Sequence, residues 1–266
     1  MELTATTMLR AAHMPTGPST VWLEVNGETV RAEAWGPGAE IALERVPDLI
    51  GVHDEPERLR PHHEVVSRLH RRFRGLRLGR TRSVWESALP AILEQKITGE
   101  EAWRVFRNLV RRFGDRAPGP HRLWLPPEPG TCADLPYFDY HRVGLERRRA
   151  EVIRSLARSA ARFEQADRPR AARLLGAMPG IGPWTVAEVG LRAFGDPDAV
   201  SVGDYHLPGL VALALAGEPD GTDERMLELL EPYRGQRGRV IRLLELGARR
   251  PPRRGPRLTS RHLERI

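Results

Sequence analysis

The hydrophobic period of the chain changes once, at Gly36-Pro37-Gly38, and that change sets the fold class. Before it, apolar residues recur at every second position: Val21, Leu23 and Val25 in Thr20–Val25, then Val30, Ala32 and Ala34 in Glu28–Trp35. A period of two predicts half-buried strands. Asn26-Gly27 between them predicts a tight hairpin turn, because both central positions need φ > 0. After Gly38 the spacing is helical. Helices are expected over Pro61–Arg72, Ser83–Glu94, Leu145–Phe163, Pro169–Ala177 and Pro183–Phe194, with two or three more across Tyr205–Gly247. Another starts at Thr98-Gly99-Glu100-Glu101, a capping-box spacing, and runs to Phe113 with Gly114 as its stop. Pro118–Tyr140 is rich in proline and aromatics and reads as a long connection. The expected class is therefore mainly α with a small N-terminal β segment. Its boundaries are a β-rich segment at 1–40, a helical domain of two lobes with a cleft between them at 41–247, and a basic Arg/Pro-rich tail at 248–266.

Composition removes several classes of function. One cysteine, Cys132, excludes a disulfide framework, a cysteine zinc site and a four-cysteine cluster. No His/Cys/Asp cluster suggests a divalent metal, and the pair His62-His63 reads as surface. The longest apolar run, Leu207–Ala216, is too short for a bilayer. Arg10 and His13 interrupt the only candidate leader stretch, which points to the cytoplasm. The net charge of +7 suits a polyanionic partner. From Arg234 to Ile266 there are eleven arginines against two acids, a local charge of +9, which leaves about −2 for the rest. Lys96 is the single lysine beside 41 arginines.

The pattern closest to chemistry is Met178-Pro179-Gly180-Ile181-Gly182, between two predicted helices. Glycines on both sides of an aliphatic residue let the chain reverse in few residues. They also leave backbone N–H groups uncovered at the start of the next helix, where the dipole favours an anion. Taken alone, the pattern fits a plain helix–turn equally well. Trp184 and Thr185 follow at once, and Asp204 stands 22 residues past Gly182, before an apolar run. That position fits a helix N-terminus, and a simple N-cap is the bland alternative.

With these residues the sequence resembles the helix–hairpin–helix superfamily of DNA glycosylases. Pro-Gly-Ile-Gly-Pro-Trp-Thr, together with Ala91–Thr98 and the lead-in Leu69–Leu78, is similar to the alkylpurine branch, the 3-methyladenine DNA glycosylase II type. The likeness runs from about Ile41 to Gly247. The resemblance implies a helix–hairpin–helix glycosylase fold and an enzyme of base excision repair. Such an enzyme flips a damaged base from duplex DNA and hydrolyses its glycosidic bond. Asp204 would stabilise the oxocarbenium-like sugar. Bifunctional members carry a Schiff-base lysine where this chain has Trp184, so the expectation is a monofunctional enzyme.

The resemblance further implies a base pocket walled by Trp184 and Tyr205, though either ring could simply pack in a core. Glu188 stands where the branch tends to have an aromatic, and Glu245 matches another such place. Their carboxylates could hydrogen-bond a base edge, complement a cationic base, or lie on the surface. Gln95 and Lys96 fall in the turn that carries the wedge replacing the flipped base; Lys96 could equally be a solvated surface lysine. Gly180, Ile181, Gly182 and Thr185 would contact the DNA backbone. The carbonyls of Gly176, Met178 and Ile181 would hold a monovalent cation, Na or K, and no other cofactor is required. The partner is double-stranded DNA with a damaged base, bound by a monomer. Two alternatives stay open: a glycosylase for oxidised or deaminated purines, and a non-catalytic helix–hairpin–helix DNA-binding module.

Overall fold

A computed structural model describes residues 1–4 and 6–251. The expected basic tail, 248–266, thus falls mostly outside the described residues. Four strands, β1 (Glu2–Leu3), β2 (Thr7–Met14), β3 (Gly17–Asn26) and β4 (Thr29–Trp35), form one antiparallel sheet in sequence order. Fourteen α-helices follow among the described residues. They are α1 (Ala39–Glu44), α2 (Val46–Leu49), α3 (Glu64–Arg72), α4 (Val84–Leu93), α5 (Gly99–Phe113), α6 (Pro129–Asp134) and α7 (Tyr137–Arg142). Then come α8 (Arg147–Arg158), α9 (Ala160–Glu164), α10 (Arg168–Gly176), α11 (Pro183–Phe194), α12 (Leu207–Ala216), α13 (Asp223–Leu230) and α14 (Arg237–Gly247). The chain divides into two compact units. Among the described residues one holds Met1–Leu49 and Ile92–Glu164, the other Ile50–Ala91 and the residues from Gln165 on. No helix among the described residues is long and apolar enough to cross a membrane.

In the first unit the hairpin forms, with its loop one residue later than expected. Asn26 pairs with Thr29, so Gly27-Glu28 make the turn, and only Gly27 has positive φ, at +59°. That is the Gly-X type of tight loop rather than the Asn-Gly type. The period-two reading passed over β2, because Arg10 and His13 break its alternation. Both are accommodated: Arg10 is buried, while His13 Nε2 lies 2.8 Å from the Pro126 carbonyl and its Nδ1 3.2 Å from Glu128. Leu9 packs with Ala117, Leu123 and Leu125 in a small apolar cluster.

The expected connection Pro118–Tyr140 contains two helices. Its prolines start helices instead of breaking them: Pro129 lies in the first turn of α6, and Pro136 is the N-cap of α7. The expected helix Leu145–Phe163 is divided at Ser159, the C-cap of α8. Thr98 caps α5 through the Glu101 N–H, as its spacing predicts. The buried Arg149 of α8 donates to the Leu93 carbonyl at 2.8 Å, and so fixes the end of α4.

The second unit is built around one apolar cluster. Val66 and Leu69 from α3 meet Leu210 and Val211 from α12, Met226 and Leu230 from α13, and Val240, Ile241 and Leu244 from α14. α3 starts at Glu64 rather than Pro61, because His63 is extended. The Tyr233 hydroxyl accepts the N–H groups of His62 and His63 there. Arg239, 1% exposed, pairs with Asp54, whose second oxygen accepts the Leu78 N–H at 2.9 Å. α10 packs on α11, with the glycine hairpin between them.

Candidate active site

The hairpin is a four-residue reversal. The Met178 N–H bonds the Leu175 carbonyl at 2.9 Å, closing the last turn of α10, and the Ile181 N–H bonds the Met178 carbonyl at 3.1 Å. Gly180 carries the reversal at φ +88°, in the region where a side chain would be strained. Gly182 then caps α11, with Pro183 in the first turn. Gly180 and Gly182 are exposed, whereas Ile181 is buried and anchors the hairpin. Thr185, expected as a DNA contact, is 1% exposed. The whole residue belongs to the interior, so the uncovered backbone of the hairpin is that of Gly180 and Gly182.

Asp204 follows Gly203, which is held at φ +88° with its N–H on both carboxylate oxygens of Asp223, at 3.0 and 3.1 Å. This loop aims the Asp204 side chain two ways. Oδ1 accepts the N–H groups of His206 and Leu207 at 2.7 and 3.0 Å, at the start of α12. Oδ2 accepts the indole N–H of Trp184 at 3.0 Å. The expected helix N-terminus is present, and the carboxylate does more than cap it. Two residues that the sequence separates by most of α11 and the loop after it share one hydrogen bond.

Trp184 and Asp204 line a cavity of about 230 Å³, whose polar lining includes Glu188, Arg192, Ser201, Arg242 and Glu245. Drug-sized pockets run to ~300–1,000 Å³, so this one suits a single base-sized ring. Glu188 is spoken for: Ser201 Oγ donates to Oε1 at 2.6 Å and Arg192 to Oε2 at 2.8 Å. Glu245 receives Arg242 on Oε2 at 2.6 Å, and no described residue donates to its Oε1. Burial pushes the Glu245 carboxyl up, against the pull of Arg242, with the Glu188 and Asp204 carboxylates adding to the rise.

Both glutamates that stand in for aromatics thus belong to the cavity. Tyr205 does not: it is 81% exposed, edge-on to His206, because the Asp204 turn directs the following side chain to solvent. Sequence reasoning missed Ser201, Arg192 and Arg242. Arg192 and Arg242 had a signal, since each stands one helical turn from a glutamate, at i,i+4 and i,i+3.

Gln95 and Lys96 close α4 in the first unit. Lys96 is exposed at φ +56°, one of two non-glycine residues with positive φ among those described. A lysine held there costs roughly 1–2 kcal/mol of backbone strain. No group of three or more His, Cys, Asp or Glu is placed to hold a metal ion among the described residues.

Comparison with known proteins fits this geometry. The family model described as HhH-GPD superfamily base excision DNA repair protein matches residues 89–234. YfjP of Bacillus subtilis, named as a DNA-3-methyladenine glycosylase, is 27% identical over 136 residues, 48% of this chain and 46% of that protein. AlkA of Mycobacterium tuberculosis H37Rv, named as a bifunctional transcriptional activator and DNA repair enzyme, is 30% identical over 138 residues, 50% of this chain and 28% of that protein. The matches take in under half the length of these relatives. The structure of the 3-methyladenine DNA glycosylase from Archaeoglobus fulgidus superposes with a TM-score of 0.74 at 21% identity, over 91% of this chain and 87% of that one, which shows a common fold. The glycine hairpin, the aspartate joined to its tryptophan and the matched span have one source: the chain belongs to the HhH-GPD superfamily of base excision DNA repair proteins.

Proposed function

We propose that the chain is a monofunctional DNA glycosylase that flips an alkylated purine out of duplex DNA and hydrolyses its N-glycosidic bond. The observation that carries this reading is the Asp204 carboxylate, fixed by three donors on the wall of a base-sized cavity. Breaking the bond develops positive charge on the sugar, and a carboxylate already oriented toward it stabilises that charge without reorganising. The Trp184 ring faces the same cavity and attracts cationic bases. The names of the relatives support an alkylated purine as substrate. The exposed backbone of Gly180 and Gly182 would receive a phosphate at the N-terminus of α11. Gln95 and Lys96 would fill the gap left by the flipped base. The enzyme works as a cytoplasmic, nucleoid-associated monomer.

The hairpin carbonyls of Gly176, Met178 and Ile181 are neutral oxygens, a set that suits a hard monovalent cation. Such an ion would add positive charge where a phosphate approaches. No other cofactor enters the reading.

Single-lesion duplexes incubated with the protein and then cleaved with alkali test the activity. Release of an alkylpurine, with an abasic site that breaks only on alkali treatment, is the expected result. Borohydride should trap no covalent adduct, since Trp184 stands where a Schiff-base lysine would. A trapped band that disappears in Lys96→Ala would replace the monofunctional reading with a lyase.

A further inference from the structure

Among the described residues, Glu245 is the one cavity carboxylate that keeps an oxygen in reserve. Asp204 has both oxygens committed, to the N–H groups of His206 and Leu207 and to the Trp184 indole. Glu188 has both committed, to Ser201 and Arg192. Glu245 gives Oε2 to Arg242, and Oε1 has no donor among the described residues. Counted by charge, the lining holds three carboxylates, Asp204, Glu188 and Glu245, against two guanidiniums, Arg192 and Arg242. The guanidiniums are each hydrogen-bonded to a glutamate, so the charge without a cationic partner is that of Asp204 and the lining as a whole is net negative. Among the described residues the lining is thus poor in aromatic surface, with Trp184 as its single ring, and rich in fixed charge. An aromatic sandwich grips a base by its faces whatever its charge. A carboxylate reads the charge itself, because its attraction for a cation has no counterpart in a neutral base of the same outline.

We propose that Glu245 is the specificity-determining residue of this cavity, its free Oε1 selecting a cationic N-alkylated purine over a neutral lesion of similar size. The proposal rests on the glycosylase reading for its substrate but not for its measurement. Trp184 stacks on the base and Glu245 Oε1 lies beside its positively charged ring, while Glu188 stays bonded to Ser201 and Arg192 and contributes only its field.

Two measurements on the full chain test it. In the first, single-turnover excision is compared for a duplex bearing N7-methylguanine, a cation, and one bearing hypoxanthine, which is neutral. The wild type should favour the cation, and Glu245→Gln should lower the cation-to-neutral ratio by at least about tenfold. Gln keeps the shape and can still accept from Arg242, so the thermal midpoint should hold. Glu245→Asp, which keeps the charge, should retain most of the preference; a fall equal to that of Glu245→Gln would assign the effect to shape and overturn the proposal. In the second, free N7,N9-dimethylguaninium and neutral 9-methylguanine are titrated against Trp fluorescence. Tighter binding of the cation, abolished by Glu245→Gln, supports the proposal even if no duplex is cleaved. Equal binding of the two bases overturns it even if the enzyme is an active glycosylase.

Discussion

Asp167 and Asp204 both accept N–H groups at the start of a helix in the second unit, α10 and α12. Asp167 caps α10 through the Arg170 N–H at 2.9 Å, is exposed, and has no other side-chain partner among the described residues. Asp204 takes two N–H groups on one oxygen and the Trp184 indole on the other, on the wall of a cavity. The chemistry of the first oxygen is the same in both: it satisfies orphan donors of a first turn. The second oxygen makes the difference. In Asp167 it faces water, so the residue serves only its helix. In Asp204 it is held in a polar cavity, so the helix start doubles as a fixed negative charge. An aspartate becomes a candidate for catalysis when capping leaves it one oxygen and the fold supplies somewhere to aim it.

Asp204→Asn tests that difference most severely. Asn is as good a cap as Asp, so α12 should form and lesion DNA should still bind. Its amide NH₂ would face the Trp184 indole N–H, however, and the charge is gone. Single-turnover excision should fall by about 10²–10³, the usual effect of removing one preorganised electrostatic group. A variant that keeps more than about a tenth of the rate would return Asp204 to the company of Asp167.

A third aspartate sharpens the comparison from the side of stability. Asp198 Oδ1 accepts the N–H groups of Gly235 and Arg237 ahead of α14, and both of its oxygens bond the Arg237 guanidinium, at 2.8 and 2.6 Å. Burial acts to raise its pKa, but the Arg237 guanidinium and the two backbone donors outweigh burial and hold it below the ordinary carboxylate value of 3.8. The folded state therefore binds its proton less readily than the unfolded chain. The stability Asp198 contributes is whole above that ordinary value and is lost as pH falls through the lower folded one. Asp198→Asn should cost about 1.5–3 kcal/mol at neutral pH, as expected for a charged hydrogen-bonded group. It should also flatten the acid limb of the stability curve. Urea unfolding from pH 6 downward checks both; an acid limb identical to wild type would mean that another carboxylate controls it.

The legibility of these sites differs for physical reasons. The hairpin could be read because its determinants are local: Gly180 supplies the positive φ and Gly182 and Pro183 start α11, all within six residues. Asp204 could be read as a helix start for the same reason. Its bond to Trp184 could not, because nothing local fixes how the first turn of α11 meets the loop before α12. Glu188 and Glu245 were visible only as departures from an expected pattern. Their arginine partners are local, one helical turn away, but whether the glutamates are surface charges or cavity walls depends on which elements pack around them, as Ser201 does on Glu188, and that is a tertiary fact. Tyr205 reads as a pocket wall only through the resemblance, whereas the Asp204 turn sends it to solvent. β2 is masked in the sequence by Arg10 and His13; the sequence does not show that Arg10 is buried or that half-buried His13 meets Pro126 and Glu128 far along the chain.

Trp184→Phe separates the two functions of the tryptophan. Phe keeps an aromatic wall but donates nothing, so Asp204 Oδ2 loses its anchor while the charge remains. The loss of one hydrogen bond to a charged group, at the low end of ~1.5–3 kcal/mol, predicts an excision rate reduced about tenfold. Binding of the lesion duplex should change far less. A rate equal to wild type would mean that the capping oxygen alone orients Asp204, and the contrast with Asp167 would then rest on the cavity and not on the indole.

Asp167→Ala has the smallest expected effect and completes the comparison. It removes the bond to the Arg170 N–H and leaves that donor to water, which can reach it because the site is exposed. Loss of an N-cap of this kind costs about 1 kcal/mol. α10 also has Pro169 in its first turn, whose fixed φ keeps the helix start in shape without the cap. The cost should therefore show as a modest drop in melting temperature and nothing more. Excision by Asp167→Ala measured under single turnover should match the wild type, because α10 meets the hairpin at its other end, nine residues on, where the Met178 N–H still closes the last turn on Leu175. A drop in excision comparable to that of Trp184→Phe would show that the hairpin feels the register of the whole helix, and that the two aspartates differ in degree and not in kind.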